Sequence, residues 1–352
     1  MTLEQALSQI KGPDKQAEQR ALDRWASVAK PLGSLGLLEE NVTRIAALTG
    51  DSGYTIEKRA VAVLCADNGV AAQGVTQTGS EITALVAKNL TIGQSCVCRM
   101  ARLAHCDVIP VDVGICTDVE APGLWNRKIA YGTADLSQGP AMSRDQAEQA
   151  VLTGIELVRQ LKELGYKIVA TGEMGIGNTT TAAAVSAALL GLSARQATGR
   201  GAGLSSLGLE RKIQVVEQAL KTHKPDPQDP IDAIAKVGGF DIAGMAGMFL
   251  GGALYRVPII VDGLISAAAA LCAARMSPSS RCAMIASHVS AEPAGALLLE
   301  ELGLKPMIVA GMRMGEGTGA VAALPLLDMG FDIYRGMSNF EEIGMDAYVP
   351  QQ

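Results

Sequence analysis

From Ala60 onward the sequence alternates short apolar runs with alanine-rich helical segments, and this alternation constrains the fold most. The runs occupy residues 60–69, 107–114, 166–175, 256–263, 282–287 and 306–312. Their shortness and β-branched content favour buried strands over helices. Strands that alternate with helices build a mostly parallel sheet, with right-handed crossovers that place helices on both faces. The sequence therefore predicts a doubly wound α/β fold of about six strands.

The two ends of the chain lie outside this alternation. Amphipathic helices are predicted at 16–29 and 37–48, and no strand-helix repeat follows Leu327. We expect residues 1–58 and 328–352 to form a small helical domain, and residues 59–327 to form a large α/β catalytic domain. The proline-rich segment 222–230 is predicted to be a loop within the large domain.

Composition argues against several classes of function. A formal charge of -6 without a Lys/Arg cluster, and only 3% aromatic residues, argue against a nucleic-acid partner. The nearly uncharged segment 241–274 is interrupted by Arg256, Pro258 and Asp262, so we expect helix, strand and helix rather than a membrane span. Because the N-terminus lacks an apolar signal region, we expect a cytoplasmic protein.

Cysteine and histidine usage gives no sign of a metal centre. The seven cysteines contain no CxxC pair, and the chain has only three histidines. No zinc framework can be assembled from residues at these spacings. We therefore expect no metal and no cofactor, and we expect the cysteines to be free, buried apolar residues.

A glycine-rich loop near the C-terminus contains the best candidate for a catalytic base. Glycines at 315, 317 and 319 surround a single carboxylate, Glu316, after the apolar run at 307–310. Open α/β sheets bind ligands outside the carboxyl ends of their strands, and glycine lets a substrate approach the backbone. The pattern would place Glu316 beyond a predicted strand, but a lone glutamate in a lone glycine-rich loop is more often a solvated acidic turn, so the other motifs have to decide.

Two other loops suit an anion. In 170–185 an apolar run leads into Glu173, two glycines and a helix start, where backbone N–H groups and the helix partial charge attract phosphate or carboxylate. The loop 199–212 places three glycines before a helix and contains Arg200 and Lys212. Tight turns and solvated side chains are the alternatives.

Two further loops complete the set of candidate strand ends. The loop 286–295 contains Ser287 and His288, but it lacks the GxSxG elbow of a hydrolase. The loop 65–83 is long and rich in Gly, Ser and Thr, which is typical of a segment that shapes a substrate pocket. Together the loops indicate a transferase or lyase that handles a small phosphorylated substrate.

Ten motifs then follow one another in the order of one known family. They are KPLGSLGLLE (30–39), ADNGV (66–70), VDVG (111–114), GTADLSQGPAM (132–142), TGEMGIGNTTTA (171–182), GRGAG (199–203), GGFDIAGMAG (238–247), VDGLISAAAA (261–270), SHVSAEP (287–293) and MRMGEGTGA (312–320). From about residue 30 to its end, the chain resembles the nicotinate-nucleotide-dimethylbenzimidazole phosphoribosyltransferases. The resemblance implies a Rossmann-like sheet, a small helical domain built from both termini and a homodimer.

The resemblance also implies a pentosyl transfer. Phosphoribose would pass from nicotinate mononucleotide to 5,6-dimethylbenzimidazole or a related base, which releases nicotinate and forms the α-riboside 5'-phosphate used in cobamide biosynthesis. Glu316 would be the general base that removes the N–H proton of the incoming base, and Glu173 would lie near the reacting centre. The small-molecule substrates would be the partners, with neither nucleic acid nor membrane involved.

By the same resemblance, other residues would surround the substrates. Those expected to hold the phosphate and ribose are Gly175, Gly201, Gly203, Lys212, Ser290, Asp241 and Asp262. Those expected to form the base pocket are Thr78, Ser80, Leu85, Met174 and Met314.

The chain departs from the family pattern in two places. Asn68 stands where the family usually has His, and in the base loop 74–85 an aromatic residue, Pro and Gln are replaced by Thr78, Gly79 and Leu85. These departures predict a base other than, or a wider range of bases than, dimethylbenzimidazole. The remaining alternatives are transfer of phosphoribose to another kind of acceptor, and a nucleotide-binding regulatory protein without turnover.

Overall fold

A computed structural model describes residues 1–349. In this range the α-helices are α1 (Leu3–Gln9), α2 (Lys15–Ser27), α3 (Leu37–Thr49), α4 (Glu81–Thr91), α5 (Cys96–Leu103), α6 (Arg144–Glu163), α7 (Asn178–Leu190), α8 (Ala194–Ala197), α9 (Ser206–His223), α10 (Pro230–Val237), α11 (Phe240–Tyr255), α12 (Leu264–Met276), α13 (Ala294–Leu302) and α14 (Thr318–Gly336). The strands are β1 (Arg59–Ala66), β2 (Asp107–Gly114), β3 (Trp125–Asn126), β4 (Ile168–Met174), β5 (Ile259–Val261) and β6 (Met284–Ala286).

The six strands form one parallel sheet in the order β3-β2-β1-β4-β5-β6. This order reverses direction between β1 and β4, and ligands bind outside the carboxyl ends of strands at such a point. The predicted doubly wound, parallel α/β fold of about six strands is confirmed.

Strand β1 shows why the sequence carries a continuous apolar run. Its residues are all buried. Ala62 and Leu64 face one core with α6, α11 and α12, whereas Val61 and Val63 face a second core with α3 and α14. A strand covered on both faces cannot alternate apolar with polar residues.

One predicted strand is wrong. The run 306–312 forms no strand; within it Ile308 makes a single bridge to His288, and Val309 is 81% exposed. The edge strand β6 is only three residues long, and the chain turns away at Gly311, whose φ is +65°. The sixth strand is instead β3, whose two residues lie beside β2 at the opposite edge.

The long apolar segment 241–274 is part of the globular core. It contains α11, β5 and α12, as predicted. Among residues 1–349 no helix is both long and apolar enough to cross a membrane. The proline-rich segment also behaves as predicted, because 224–229 connects α9 to α10.

The cysteines only partly follow expectation. All seven are free, and Cys65, Cys98, Cys106 and Cys272 are buried. Cys96 and Cys116 are exposed and Cys282 is half-buried, so the prediction of burial is wrong for these three. Cys96 is the first residue of α5, and Cys116 follows β2 in a loop, so neither is covered by a second layer.

Segments from the two termini lie together. Val28 forms an antiparallel bridge with Asn339, and the rings of Trp25 and Tyr334 meet edge to face at 4.9 Å. The expected boundary after residue 327 falls inside α14, and residues 350–352 lie outside the described range. Division into a small domain (1–58 with 328–352) and a large domain (59–327) stays a proposal.

Glycines set the distance between α11 and α6. A Cβ atom at Gly247 would lie 1.9 Å from the Val151 carbonyl oxygen, and one at Gly154 would lie 1.9 Å from the Gly244 carbonyl oxygen. Both contacts are with rigid helix backbone, so a side chain fits only if the helices move apart. The glycines at 247 and 251 therefore serve close helix packing within the core.

We predict that Gly247→Ala lowers the free energy of unfolding by about 1–3 kcal/mol, the usual range for overpacking a core. The matched control is Gly336→Ala in the last turn of α14, where an added Cβ meets nothing within 4 Å. The control should be neutral or slightly stabilising, since alanine is the better helix former. Denaturant unfolding of both variants measures the difference, and equal stabilities would contradict the packing role.

Candidate active site

A cavity of about 850 Å³ opens at the carboxyl ends of β4, β5 and β6. It is bounded by the loops that follow these strands, by the loop 199–204, by residues 75–78 and by the glycine-rich loop 311–316. The residues predicted from sequence that line it are Glu316, Glu173, Gly175, Gly201, Ser290, Asp262, Thr78, Met174 and Met314.

Backbone contact at glycine positions holds the loop of Glu316 against β4. A Cβ at Gly172 would lie 2.7 Å from the Glu316 carbonyl oxygen, and one at Gly317 would lie 2.5 Å from Val61 Cγ2. Glu316 itself adopts a left-handed φ of +58°, which is uncommon for a residue with a side chain. Glu316 thus reaches the carboxyl edge of the sheet by packing on β4, and the prediction that it extends beyond its own strand is wrong.

The Glu316 carboxylate is buried and held by a helix. Its Oε2 accepts a hydrogen bond of 3.0 Å from the backbone N–H of Val97, in the first turn of α5. Helix N-termini attract negative charge. The side chain is 7% exposed and lines the cavity, which argues against the solvated acidic turn.

Glu173 belongs to a second buried acidic group. Asn178 Nδ2 donates to Glu173 Oε2 and, over 3.0 Å, to Asp241 Oδ2. Asp241 lies behind Asn178 and outside the cavity lining, and it also accepts from the Ile242 N–H. One amide therefore fixes the geometry of two carboxylates.

Burial changes the proton affinity of these acids. Loss of water raises the pKa of Glu173 to about 8, with the charge of Asp241 as the next contribution and those of Asp262 and Glu316 behind it. Burial also raises the pKa of Asp241 to about 6, against the opposing hydrogen bond from Asn178. Carboxyl groups that lose water and face one another hold their protons more tightly, and a cation bound between them reverses that effect.

Asp262, His288 and Ser287 lie together but do not form a hydrolytic triad. Ser287 Oγ lies 3.0 Å from His288 Nδ1, and Asp262 Oδ1 lies 4.0 Å from the same nitrogen. A triad needs the serine and the acid on different ring nitrogens. The fully buried Ser287 hydroxyl also donates to the Val261 carbonyl, so a nucleophilic serine is not supported here.

A buried cation lies behind another part of the cavity wall. Lys212 is fully buried, and its Nζ donates over 2.8 Å to Oγ1 of Thr179, which lines the cavity. Burial lowers the pKa of Lys212 to about 8, opposed by the charge of Glu292. A Cβ at Gly201 would lie 3.3 Å from this Nζ, so the missing side chain gives the ammonium a position just behind the wall.

Glu292 lies beside Gly201 in the cavity lining, and no sequence pattern indicated it. Its Oε1 accepts from the Gly201 N–H at 3.0 Å, whereas its buried Oε2 has no hydrogen-bond partner within the described chain. The amide expected to hold phosphate is therefore engaged by a carboxylate in this structure. A ligand that takes this amide has to displace or protonate Glu292.

The residues expected to form the base pocket, in the base loop 74–85 and outside it, only partly line the cavity. Thr78, Met174 and Met314 line it, but Ser80 and Leu85 do not, and Leu85 is 53% exposed on α4. Gln77 Nε2 donates over 2.7 Å to the Ala202 carbonyl, which ties this loop to 199–204.

The structure places several predicted residues behind the cavity wall. Lys212 and Asp241 touch the lining through Thr179 and Asn178, and Gly203 lies next to Gln77 without lining the cavity. Asn178, Glu292 and Arg313 had no predicted role. Asn178 opens α7 directly after the Gly175–Gly177 turn, and that position was the signal that could have identified it.

Metal-binding groups show no clustering in the described range. Within residues 1–349, no three His, Cys, Asp or Glu side chains are grouped so as to hold a metal ion.

Comparisons with known proteins agree with this architecture. A family model described as phosphoribosyltransferase matches residues 10–345. The nicotinate-nucleotide-dimethylbenzimidazole phosphoribosyltransferase of Ruminiclostridium cellulolyticum is 43% identical over 350 residues, 99% of each chain. The protein of the same name from Chloroflexus aggregans is 45% identical over 344 residues, 97% of this chain and 98% of the other.

A solved structure gives the same result at the level of the fold. The crystal structure of CobT from Thermus thermophilus superposes with a TM-score of 0.90 at 40% identity, and the match covers 95% of this chain and 100% of that one. Family match, sequence identity and fold agree over nearly the whole length. The chain therefore belongs to the phosphoribosyltransferase family that includes the nicotinate-nucleotide-dimethylbenzimidazole phosphoribosyltransferases.

Proposed function

We propose that this enzyme transfers phosphoribose from nicotinate mononucleotide to 5,6-dimethylbenzimidazole or a related base. Nicotinate is released and the α-riboside 5'-phosphate forms, as a step in cobamide biosynthesis. The names of its relatives support this reaction. The observation that carries it is one cavity that buried carboxylates line, with a buried lysine and a glycine-rich loop at another part of its wall.

Glu316 is the general base in this proposal. One nitrogen of the benzimidazole attacks the anomeric carbon of the donor ribose, and the glycosidic bond to nicotinate breaks. The ring becomes positively charged as it is alkylated, so removal of its other N–H proton by a carboxylate stabilises the developing cation. The Val97 N–H holds Glu316 Oε2, and we assign the proton to Oε1.

Glu173 acts on the ribose in this proposal. The donor's leaving group is already a pyridinium, so its departure needs no general acid, and charge accumulates on the sugar ring. A carboxylate near that ring stabilises an oxocarbenium-like state. Asn178, itself bonded to Asp241, holds Glu173 in place, and Asp262 adds a further carboxylate to the wall.

The phosphate belongs beside Lys212 in this proposal. Gly175, Gly201, Gly203, Lys212 and Ser290 are the groups we assign to it, with Lys212 acting through or beside Thr179. This assignment requires Glu292 to leave the Gly201 N–H when phosphate arrives. We further propose, from the family resemblance, that the enzyme is a homodimer in the cytoplasm.

Loss of the general base should lower turnover and leave binding of the donor nearly intact. We predict that Glu316→Gln lowers turnover by about 10²- to 10⁴-fold, the usual contribution of a general base. Gln keeps an oxygen that can accept from Val97, so the loop should stay in place. Mass spectrometry of the riboside product measures turnover, and calorimetry should show nearly unchanged binding of nicotinate mononucleotide.

The matched control is Glu300→Gln, which removes an exposed carboxylate of α13 outside the cavity. It should leave turnover unchanged. If Glu316→Gln turns over within a few fold of the native enzyme, Glu316 is not the base.

Donor binding should release a proton at neutral pH. With a pKa of about 8, Glu173 is mostly protonated in the free enzyme at pH 7. A pyridinium ring nearby lowers that pKa, so the proton leaves on binding. Calorimetry in buffers of different ionisation enthalpy should show about one proton more released by the native enzyme than by Glu173→Gln at pH 7.

This difference should shrink above pH 8, where Glu173 is already ionised in the free enzyme. Proton uptake at Lys212 and at the phosphate occurs in both proteins and cancels in the comparison. Equal proton release at pH 7 would show that the donor's cation does not bind beside Glu173.

The altered base loop should widen the range of accepted bases. We predict that mixtures of dimethylbenzimidazole, benzimidazole and adenine yield all three ribosides. Thr78→Tyr restores an aromatic residue in the cavity wall and should shift the products toward dimethylbenzimidazole. Leu85→Gln, on an exposed position outside the lining, should not. Exclusive use of dimethylbenzimidazole by the native enzyme would refute this prediction.

A further inference from the structure

The loop that carries Glu316 also brings an arginine to the cavity. Arg313 lines the same cavity as Glu316 and is exposed at its wall. It forms no salt bridge within residues 1–349. A guanidinium at the wall of a substrate cavity without an acidic partner is available to an anionic ligand.

The other cations near the cavity are engaged elsewhere. Arg200 donates to the Leu204 carbonyl at 2.7 Å and to Ser206 Oγ at 3.2 Å, so its guanidinium braces its own loop. Lys212 is buried behind Thr179 at the phosphate end. Of these three cations, Arg313 is therefore the one that is available to a ligand beside the Glu316 loop.

Without such a cation, the carboxylates that line the cavity would repel an anion. Glu173, Asp262 and Glu316 all line the cavity, and they suit a pyridinium or a developing benzimidazolium. The donor of the proposed function, however, carries two anionic groups, the 5'-phosphate and the carboxylate on its pyridinium ring. Lys212 accounts for the phosphate, and the carboxylate on the ring needs a second cation.

We propose that Arg313 binds the carboxylate of the nicotinate ring and thereby selects nicotinate mononucleotide over nicotinamide mononucleotide. This inference rests on the proposed function and adds a specificity-determining residue to it. A guanidinium fork matches a carboxylate with two parallel hydrogen bonds, whereas it has no charge to meet on a carboxamide. Without Arg313, the acidic wall favours the uncharged carboxamide.

The test compares both donors in the same variants. For Arg313→Gln, kcat/KM for nicotinate mononucleotide should fall by about 10- to 100-fold, as expected for loss of a charge-assisted pair. The value for nicotinamide mononucleotide should stay within about threefold, so the preference for nicotinate collapses. Arg313→Lys keeps the charge but loses the fork, and it should retain part of the preference.

The matched control is Arg102→Gln, an exposed arginine of α5 outside the cavity lining, which should leave both donors unchanged. An unaltered donor ratio in Arg313→Gln overturns the inference. Equal losses for both donors also overturn it, because they show that Arg313 attracts the phosphate common to both.

Direct binding separates this inference from the proposed function. If the native enzyme forms no riboside from any base, the proposed function fails. Calorimetry of the two mononucleotides with native protein and Arg313→Gln then still decides the role of Arg313. A loss of affinity confined to nicotinate mononucleotide supports it, and unchanged relative affinities overturn it.

Discussion

The active site depends on one backbone contact, the close packing of the Glu316 loop on Gly172 of β4. A Cβ at Gly172 would stand 2.7 Å from the Glu316 carbonyl oxygen, so only glycine lets the loop lie on β4. A Cβ at Gly315 would likewise lie 2.3 Å from Glu173 Oε1. These missing side chains bring the two carboxylates into one wall, although Glu173 and Glu316 are far apart in sequence. The sheet supplies the rigid surface and glycine supplies the close approach.

Carboxylates are concentrated in the wall formed in this way and in the layer behind it. Glu173, Asp241 and Asp262 lose water, and the pKa of each is raised. Such a cluster is unfavourable alone and becomes favourable when a cation lies against it. A reaction that exchanges one positively charged aromatic ring for another fits this environment. Burial lowers the pKa of Lys212 behind Thr179, and an anion bound there would raise it again.

Sequence patterns predicted the fold where burial on both faces leaves a continuous apolar run, as in β1. They failed at 306–312, because a short apolar run carries the same signal whether or not a neighbouring strand has room to pair. They also missed β3, since two residues are too few to show a periodic pattern of apolar side chains. For the site, too, local patterns identify residues near strand ends but not contacts between distant parts of the chain. Glu173 lies at the carboxyl end of β4 and Ser290 in the loop after β6, so both could be predicted, whereas the hydrogen bond from Gly201 to Glu292 joins residues 91 positions apart.

The contact between Glu316 and α5 explains how a buried carboxylate is held in such a wall. A lysine or arginine partner would add a full positive charge beside Glu316. The Val97 N–H at the start of α5 instead offers a hydrogen bond and a helix partial charge without a full cation. The left-handed φ of +58° at Glu316 is the conformation that turns this side chain toward the helix while its backbone stays on β4. The flanking glycines, both with positive φ, let the chain enter and leave that conformation, and this accounts for the alternation of glycine with Glu316 in the sequence.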